Sequence, residues 1–184
     1  MDYILKRSKR KTIGLEITDE GLVVRAPMRA SQREIDRVIR QHRTWIDRNM
    51  AKRTQVKAEA QQKGLLSQAD IRALADRARA YIPQRVAYYA PLLGVQPGRI
   101  TIRTQKTRWG SCSAKGNLNF NCLLMLTPPE VIDSVVVHEL CHLLEMNHSP
   151  KFYQHVLRVF PGYHKQHTWL RKNGPELMAR AHMV

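Results

Sequence analysis

The sequence predicts an α+β fold on three observations. Apolar residues alternate only in short stretches. Longer segments place them at helical spacing. One almost wholly apolar helix runs into a dense cluster of histidines and glutamates. The expected architecture is a small, mostly antiparallel sheet packed on that helix, preceded by an N-terminal β-meander and a helix.

The first elements alternate as strands, YILKRS, KTIGLEIT and GLVVRAP, with a turn at Thr18-Asp-Glu-Gly21 between the last two. Pro27 ends the meander. Ser31 with Glu34 three residues later is a capping-box signature. The helix it opens spaces Ile35, Val38, Ile39, Trp45 and Ile46 along one face. From Met50 to Lys63 that face thins, which predicts an exposed helical tail or linker. Gly64 then separates two parts: residues 1–63, an accessory portion of the same domain, and residues 64–184, the core that carries the histidine cluster.

In the second part Ser67 and Asp70 mark another helix start, and Ile71, Leu74, Ala75, Ala78, Tyr81 and Ile82 continue its face. Pro83 is expected to kink that helix rather than end it, because VAYYAPLLG keeps the spacing. RITIRT (99–104) alternates as a strand. TRWGSC leads through a turn at Ala114-Lys-Gly-Asn117 into the strand NLNFNCLLML (117–126). Thr127-Pro-Pro-Glu opens the helix VIDSVVVHELCHLLEM, with prolines tolerated in its first turn and Asn147 as a left-handed terminator. Ser149-Pro-Lys starts the next helix, KFYQHVLRVF, and a last one, YHKQHTWLRKN, is expected to stop at Gly174-Pro175.

The 184 residues suffice to bury a sizeable core. No apolar run reaches the roughly 20 residues of a membrane span. The N-terminus MDYILKRSKRK lacks the apolar region of a secretory signal, and three cysteines do not make a disulfide framework. The expectation is a cytoplasmic protein without a membrane partner. The formal charge of +16 is the bulk anomaly; basic residues outnumber acids by 15 to 8 over residues 1–60 and by 16 to 7 afterwards. It allows either a self-repelling surface or attraction to nucleic acid, although no RNA- or DNA-binding motif accompanies it. Oligomeric state is not legible.

Chemistry concentrates in VVVHELCHLLEMNHSP (135–150). Residues four apart share a helix face, so His138 and His142 can reach one ion, and Glu139 sits beside it. This is the HExxH arrangement, in which two neutral imidazoles hold zinc and the carboxylate takes a proton from the water that zinc activates. An exposed polar helix does not fit, because VIDSVVV ahead of it is too apolar. Catalytic zinc takes three protein ligands. His148 lies six residues past His142, about 240° round on a continuous helix, so it can return only if the helix ends first. The spacing matches the metzincin pattern, but Glu145 occupies that pattern's glycine position and no Met-turn is evident. His148 is the expected third ligand; Glu145, Glu176 and Cys112 are the rivals. Cys112 would make a deformylase-like thiolate site.

KTRWGSCSAKGNLNFNCLLMLTPPEVIDSVVVHELCHLLEMNHSPKF resembles the signature of the bacterial YgjP-like metallopeptidase family, related to the SprT-like and Wss1-like metalloproteases. RSKRKTIGLEIT, GLVVRAP and RTWI extend the resemblance over nearly the whole chain. It implies a zincin-like fold, metal bound by His138, His142 and His148, and Glu139 as general base. The expected function is therefore zinc-dependent hydrolysis, with a peptide or protein as substrate. A non-peptidase amidohydrolase and a nucleic-acid-associated metalloprotein are the alternatives.

Other residues read less sharply. Trp109-Gly110-Ser111 is either a packing corner or an edge beside the cleft that could pair with an extended peptide. Arg108 either orients a substrate carboxylate or is solvated. Tyr153, His155, Tyr163, His164 and His167 are candidates for stabilising an oxyanion. Phe152 is expected to anchor the helix after His148, and Cys141 and Cys122 to be small buried residues.

Overall fold

The computed structural model describes residues 2–182. The chain forms two compact units, Met1–Ala58 and Glu59–Val184, and the division falls within a helix, before Gly64.

In the first unit, β1 (Ile4–Ser8), β2 (Gly14–Thr18) and β3 (Gly21–Pro27) form a sheet in the order β1-β3-β2. β3 runs antiparallel to β2 across the turn at Thr18–Gly21, where Gly21 has φ 111°, and parallel to β1. The expected meander is therefore incorrect. β3 is the most apolar strand, burying Leu22, Val23, Val24 and Ala26, so it takes the doubly paired centre. The charged strands become edges, which resist further pairing. The single helix expected next is two, α1 (Gln32–Gln41) and α2 (Arg43–Gln62), separated at His42. Both arms of the Ser31–Glu34 capping box are formed. Ile35, Ile39 and Ile46 reach the core under β3, whereas Trp45 is exposed.

The second unit opens with α3 (Gln68–Leu93), capped by Ser67 and Asp70 and running through Pro83 to Gly94, which is left-handed at φ 70°. β4 (Ile100–Arg103), β5 (Gly110–Cys112) and β6 (Leu118–Asn121) form a sheet in the order β4-β6-β5. β4 is parallel to β6 and β5 antiparallel to it. Each sheet thus mixes one parallel with one antiparallel pair and is not mostly antiparallel. Again the most buried strand, β6, is central. GSC, which leads into the turn at Ala114–Asn117, is itself the edge strand β5.

The strand expected over 117–126 stops at Asn121, and Cys122–Leu126 is a 3₁₀ turn. A fully buried apolar run carries no periodicity to distinguish the two. Asn121 makes the switch: its side-chain oxygen accepts from Leu123 N–H at 3.1 Å, and its Nδ2 donates to the carbonyls of Gln105 and Arg108 at 2.8 and 3.0 Å. α4 (Pro129–Cys141), α5 (Pro150–Val159) and α6 (Tyr163–His182) complete the unit. Contrary to expectation, α6 continues through Gly174-Pro175. Proline removes one helical hydrogen bond, but the turns beyond it bury Leu177 and Ala181, and Glu176 accepts from Lys63 Nζ at 2.9 Å. Among the described residues no helix is long and apolar enough to cross a membrane.

The core of this unit joins α3, β6, the 3₁₀ turn and α4 to α6. Asp133 of α4 is buried in it, held by two hydrogen bonds from Arg85 of α3 at 2.7 and 2.8 Å and one from Tyr89 Oη at 3.1 Å. Arg85→Met leaves a buried carboxylate short of its cation. Because the Arg85 side chain keeps 27% exposure, the expected loss is about 1.5–3 kcal/mol, read by urea unfolding. A loss below about 0.5 kcal/mol, the size of an ordinary surface change, contradicts a structural role for the pair.

Candidate metal centre

α4 ends at Cys141 with His142 as its C-cap, so HELCH closes the helix instead of sitting inside it. The expected terminator Asn147 lies five residues beyond that cap. No described non-glycine residue has positive φ, so Asn147 is not left-handed. The backbone tightens instead: Leu143 N–H donates to the Leu140 carbonyl, and Leu144 and Glu145 N–H to that of Cys141, each at 3.0 Å. This turn brings the Glu145 carbonyl back to accept from His142 Nδ1–H at 3.2 Å. It also frees the following residues to return His148. Ser149 Oγ accepts from Phe152 N–H at 3.3 Å and Pro150 occupies the first turn of α5, so His148 is fixed against a capped helix start.

The three imidazoles meet. His138 Nε2 lies 3.2 Å from His142 Nε2 and 3.0 Å from His148 Nε2, and one ligand atom from each lies within 4.8 Å of the others. Fully buried Phe152 forms an apolar floor, its ring centroid 4.9, 4.7 and 4.9 Å from those of His138, His142 and His148. It anchors α5 as expected, and it also supports every ring of the cluster.

This donor set suits a metal ion. A carbonyl cannot donate, so the His142 proton is on Nδ1 and its Nε2 presents a lone pair. His138 Nδ1 meets the Tyr163 hydroxyl at 2.9 Å, which occupies the nitrogen facing away from the cluster. Burial, and then the charges of His142, His148 and His167, pushes His138 down to about 3 and keeps it neutral. Lone pairs converging on one point repel unless a cation lies among them, and three imidazoles are a donor set for transition metals such as zinc.

Glu139 is buried beside the cluster and lines a cavity of about 270 Å³ with His138, Trp109 and Gly110. Burial lifts its carboxyl to about 8, against the opposing charge of Arg108. The backbone of β5 presses close: a Cβ on Gly110 would stand 2.6 Å from Glu139 Oε1. Only glycine leaves room for the carboxylate, a constraint that the Trp-Gly-Ser motif signalled as a corner or edge without naming its neighbour.

The rival ligands fall outside the cluster found among the described residues. Glu176 is engaged by Lys63, Glu145 contributes its backbone carbonyl rather than its carboxylate, and Cys112 Sγ donates to the Ser113 carbonyl at 3.5 Å. Of the oxyanion candidates, Tyr163 has its hydroxyl on His138, and His167 stacks on the Tyr163 ring at 5.6 Å and borders the cavity. Tyr153 packs 6.4 Å from His148, and exposed His164 meets Tyr163 edge-on at 5.6 Å and lies tilted against Tyr153 at 6.3 Å. His155 is half-buried on α5, and no ring contact joins it to the cluster among the described residues. Cys141 and Cys122 are buried; burial raises the Cys141 thiol to about 12, where it is inert.

Two solved structures are similar in part. The metallopeptidase zymogen abylysin of Pyrococcus abyssi is 24% identical over 50% of this chain and 93% of its own, with a TM-score of 0.45. The metallopeptidase zymogen jannalysin of Methanocaldococcus jannaschii is 21% identical over 50% of this chain and 95% of its own, also at 0.45. No curated protein matches the chain. The family model of the YgjP-like metallopeptidase domain matches residues 11–74 and 54–173, spanning both units. That match covers well over half of the sequence and brings with it the metal ion that such peptidases require. The chain belongs to the YgjP-like metallopeptidase domain family.

Proposed function

We propose that the protein is a zinc-dependent peptidase in which His138, His142 and His148 hold the metal and Glu139 is the general base. The observation that carries this reading is the convergence of three imidazole nitrogens beside a buried carboxylate that opens on a cavity. When bound, zinc supplies Lewis acidity to water and to the scissile carbonyl. Glu139 accepts the proton of the attacking water and passes it to the leaving amine nitrogen. Gly110 and the apolar cavity walls hold that carboxylate in place and limit bulk water around it. β5 is an edge strand, so its outer side offers backbone groups to an extended substrate.

Stripping the metal with a chelator is expected to abolish hydrolysis of a peptide library, and one equivalent of zinc to restore it. A wild-type protein that retains no transition metal contradicts the reading. Tyr163 acts through His138: it holds Nδ1 and so presents Nε2 to the ion. Tyr163→Phe is expected to weaken zinc affinity by about 10–100-fold, the usual effect of losing a hydrogen bond behind a ligand, in a chelator-competition titration. Unchanged affinity removes that role from Tyr163.

A further inference from the structure

The cavity beside Glu139 has a composition that the metal centre does not explain. Trp109, Val135 and Leu170 make apolar walls, while two exposed cationic residues, Arg108 and Arg171, line the same space. Neither is ion-paired with an acid among the described residues, although eight other cations are. Among the described residues Glu139 is the lone carboxylate in the lining, and it belongs to the proposed catalytic step. At about 270 Å³ the space is smaller than the roughly 300–1,000 Å³ of a drug-sized site and suits one long side chain.

The backbone on both sides of the cavity is fixed in place. The loop bearing Arg108 is tied from below: Asn121 Nδ2 donates to the Arg108 carbonyl at 3.0 Å, and Asn121 N–H to the Trp109 carbonyl at 2.9 Å. Trp109 then rests on α6 at Gly174, where a Cβ would stand 3.0 Å from its ring. Arg171 lies three residues before Gly174 on that helix, and so on the same face. One docking contact therefore sets the backbone that carries both cations beside a single cavity, next to the residue that would move the proton.

We infer that this cavity is a specificity subsite that takes a substrate carboxylate next to the scissile bond, with its methylenes against Trp109, Val135 and Leu170 and its oxygens on Arg108 and Arg171. The inference rests on the peptidase reading. The same chemistry can come from a glutamate side chain or from the C-terminus of a peptide.

The test uses the full chain loaded with zinc and matched peptides that differ only as Glu, Gln or Lys at each position flanking the cleaved bond, each with a free or an amidated C-terminus. The expected result is a kcat/KM for the carboxylate-bearing peptide about ten-fold or more above its neutral match, the size of charge-assisted bidentate recognition. Loss on Glu→Gln assigns the side chain, and loss on amidation assigns the terminus. In the double variant Arg108→Glu/Arg171→Glu the preference is expected to turn toward the Lys peptide, a change that misfolding cannot mimic. Cleavage indifferent to charge overturns the subsite and leaves the peptidase reading standing. No cleavage of any peptide by zinc-replete protein overturns both.

Discussion

Glu139→Gln is expected to lower peptide hydrolysis by roughly 10²–10⁴-fold while leaving zinc bound, because the amide keeps the shape of the side chain but cannot take a proton. The residue is buried beside the histidines and lines the cavity, so its loss removes the one carboxylate that lines it among the described residues. Gly110→Ala gives the same signature by a different route. A Cβ 2.6 Å from Oε1 must push the carboxylate aside, so activity falls and metal content stays. Metal content by emission spectroscopy and kcat/KM on one cleaved peptide separate these outcomes. Full activity in Glu139→Gln removes the general base from the account.

The second large effect is His148→Ala. His148 is exposed and sits in the turn before α5, outside both helices, so its removal disturbs the fold little. Its Nε2 nonetheless lies 3.0 Å from that of His138. Loss of a direct ligand is expected to weaken zinc affinity beyond the roughly 100-fold upper range seen for residues behind a ligand, and activity is expected to go with it. Circular dichroism and chelator competition read the two separately. Wild-type affinity in His148→Ala shows that the third ligand lies elsewhere.

Local chemistry made the centre legible. His138 and His142 are four apart on a helix whose apolar run marks it as buried, and Ser149-Pro150 announces a fresh helix start that lets His148 turn back. The capping box at Ser31 and the helix start at Ser67 are legible for the same reason, since every atom involved lies within three residues. What escaped depends on distant partners. Tyr163 meets His138 across 25 residues, and Gly110 meets a carboxylate that no neighbouring letter indicates. Strand order is also non-local: alternation identifies strands, but the most apolar one takes the centre of each sheet only once three are compared. The end of α4 was misplaced because tightening at Leu143 to Glu145 depends on the Glu145 carbonyl finding His142, which propensity does not encode. The break expected at Gly174-Pro175 failed because burial of Leu177 and Ala181, together with the Trp109 contact at Gly174, outweighs one lost hydrogen bond.

One metal ion among three imidazoles is the arrangement on which the proposed chemistry depends. X-ray absorption at the zinc edge, on stoichiometrically loaded wild-type protein and on His148→Ala, tests it most directly. Nitrogen scatterers at about 2.0–2.1 Å consistent with three histidines are expected in the wild type, and one fewer in the variant. A sulfur scatterer at about 2.3 Å, which would bring in Cys112, or identical spectra for the two proteins would contradict it.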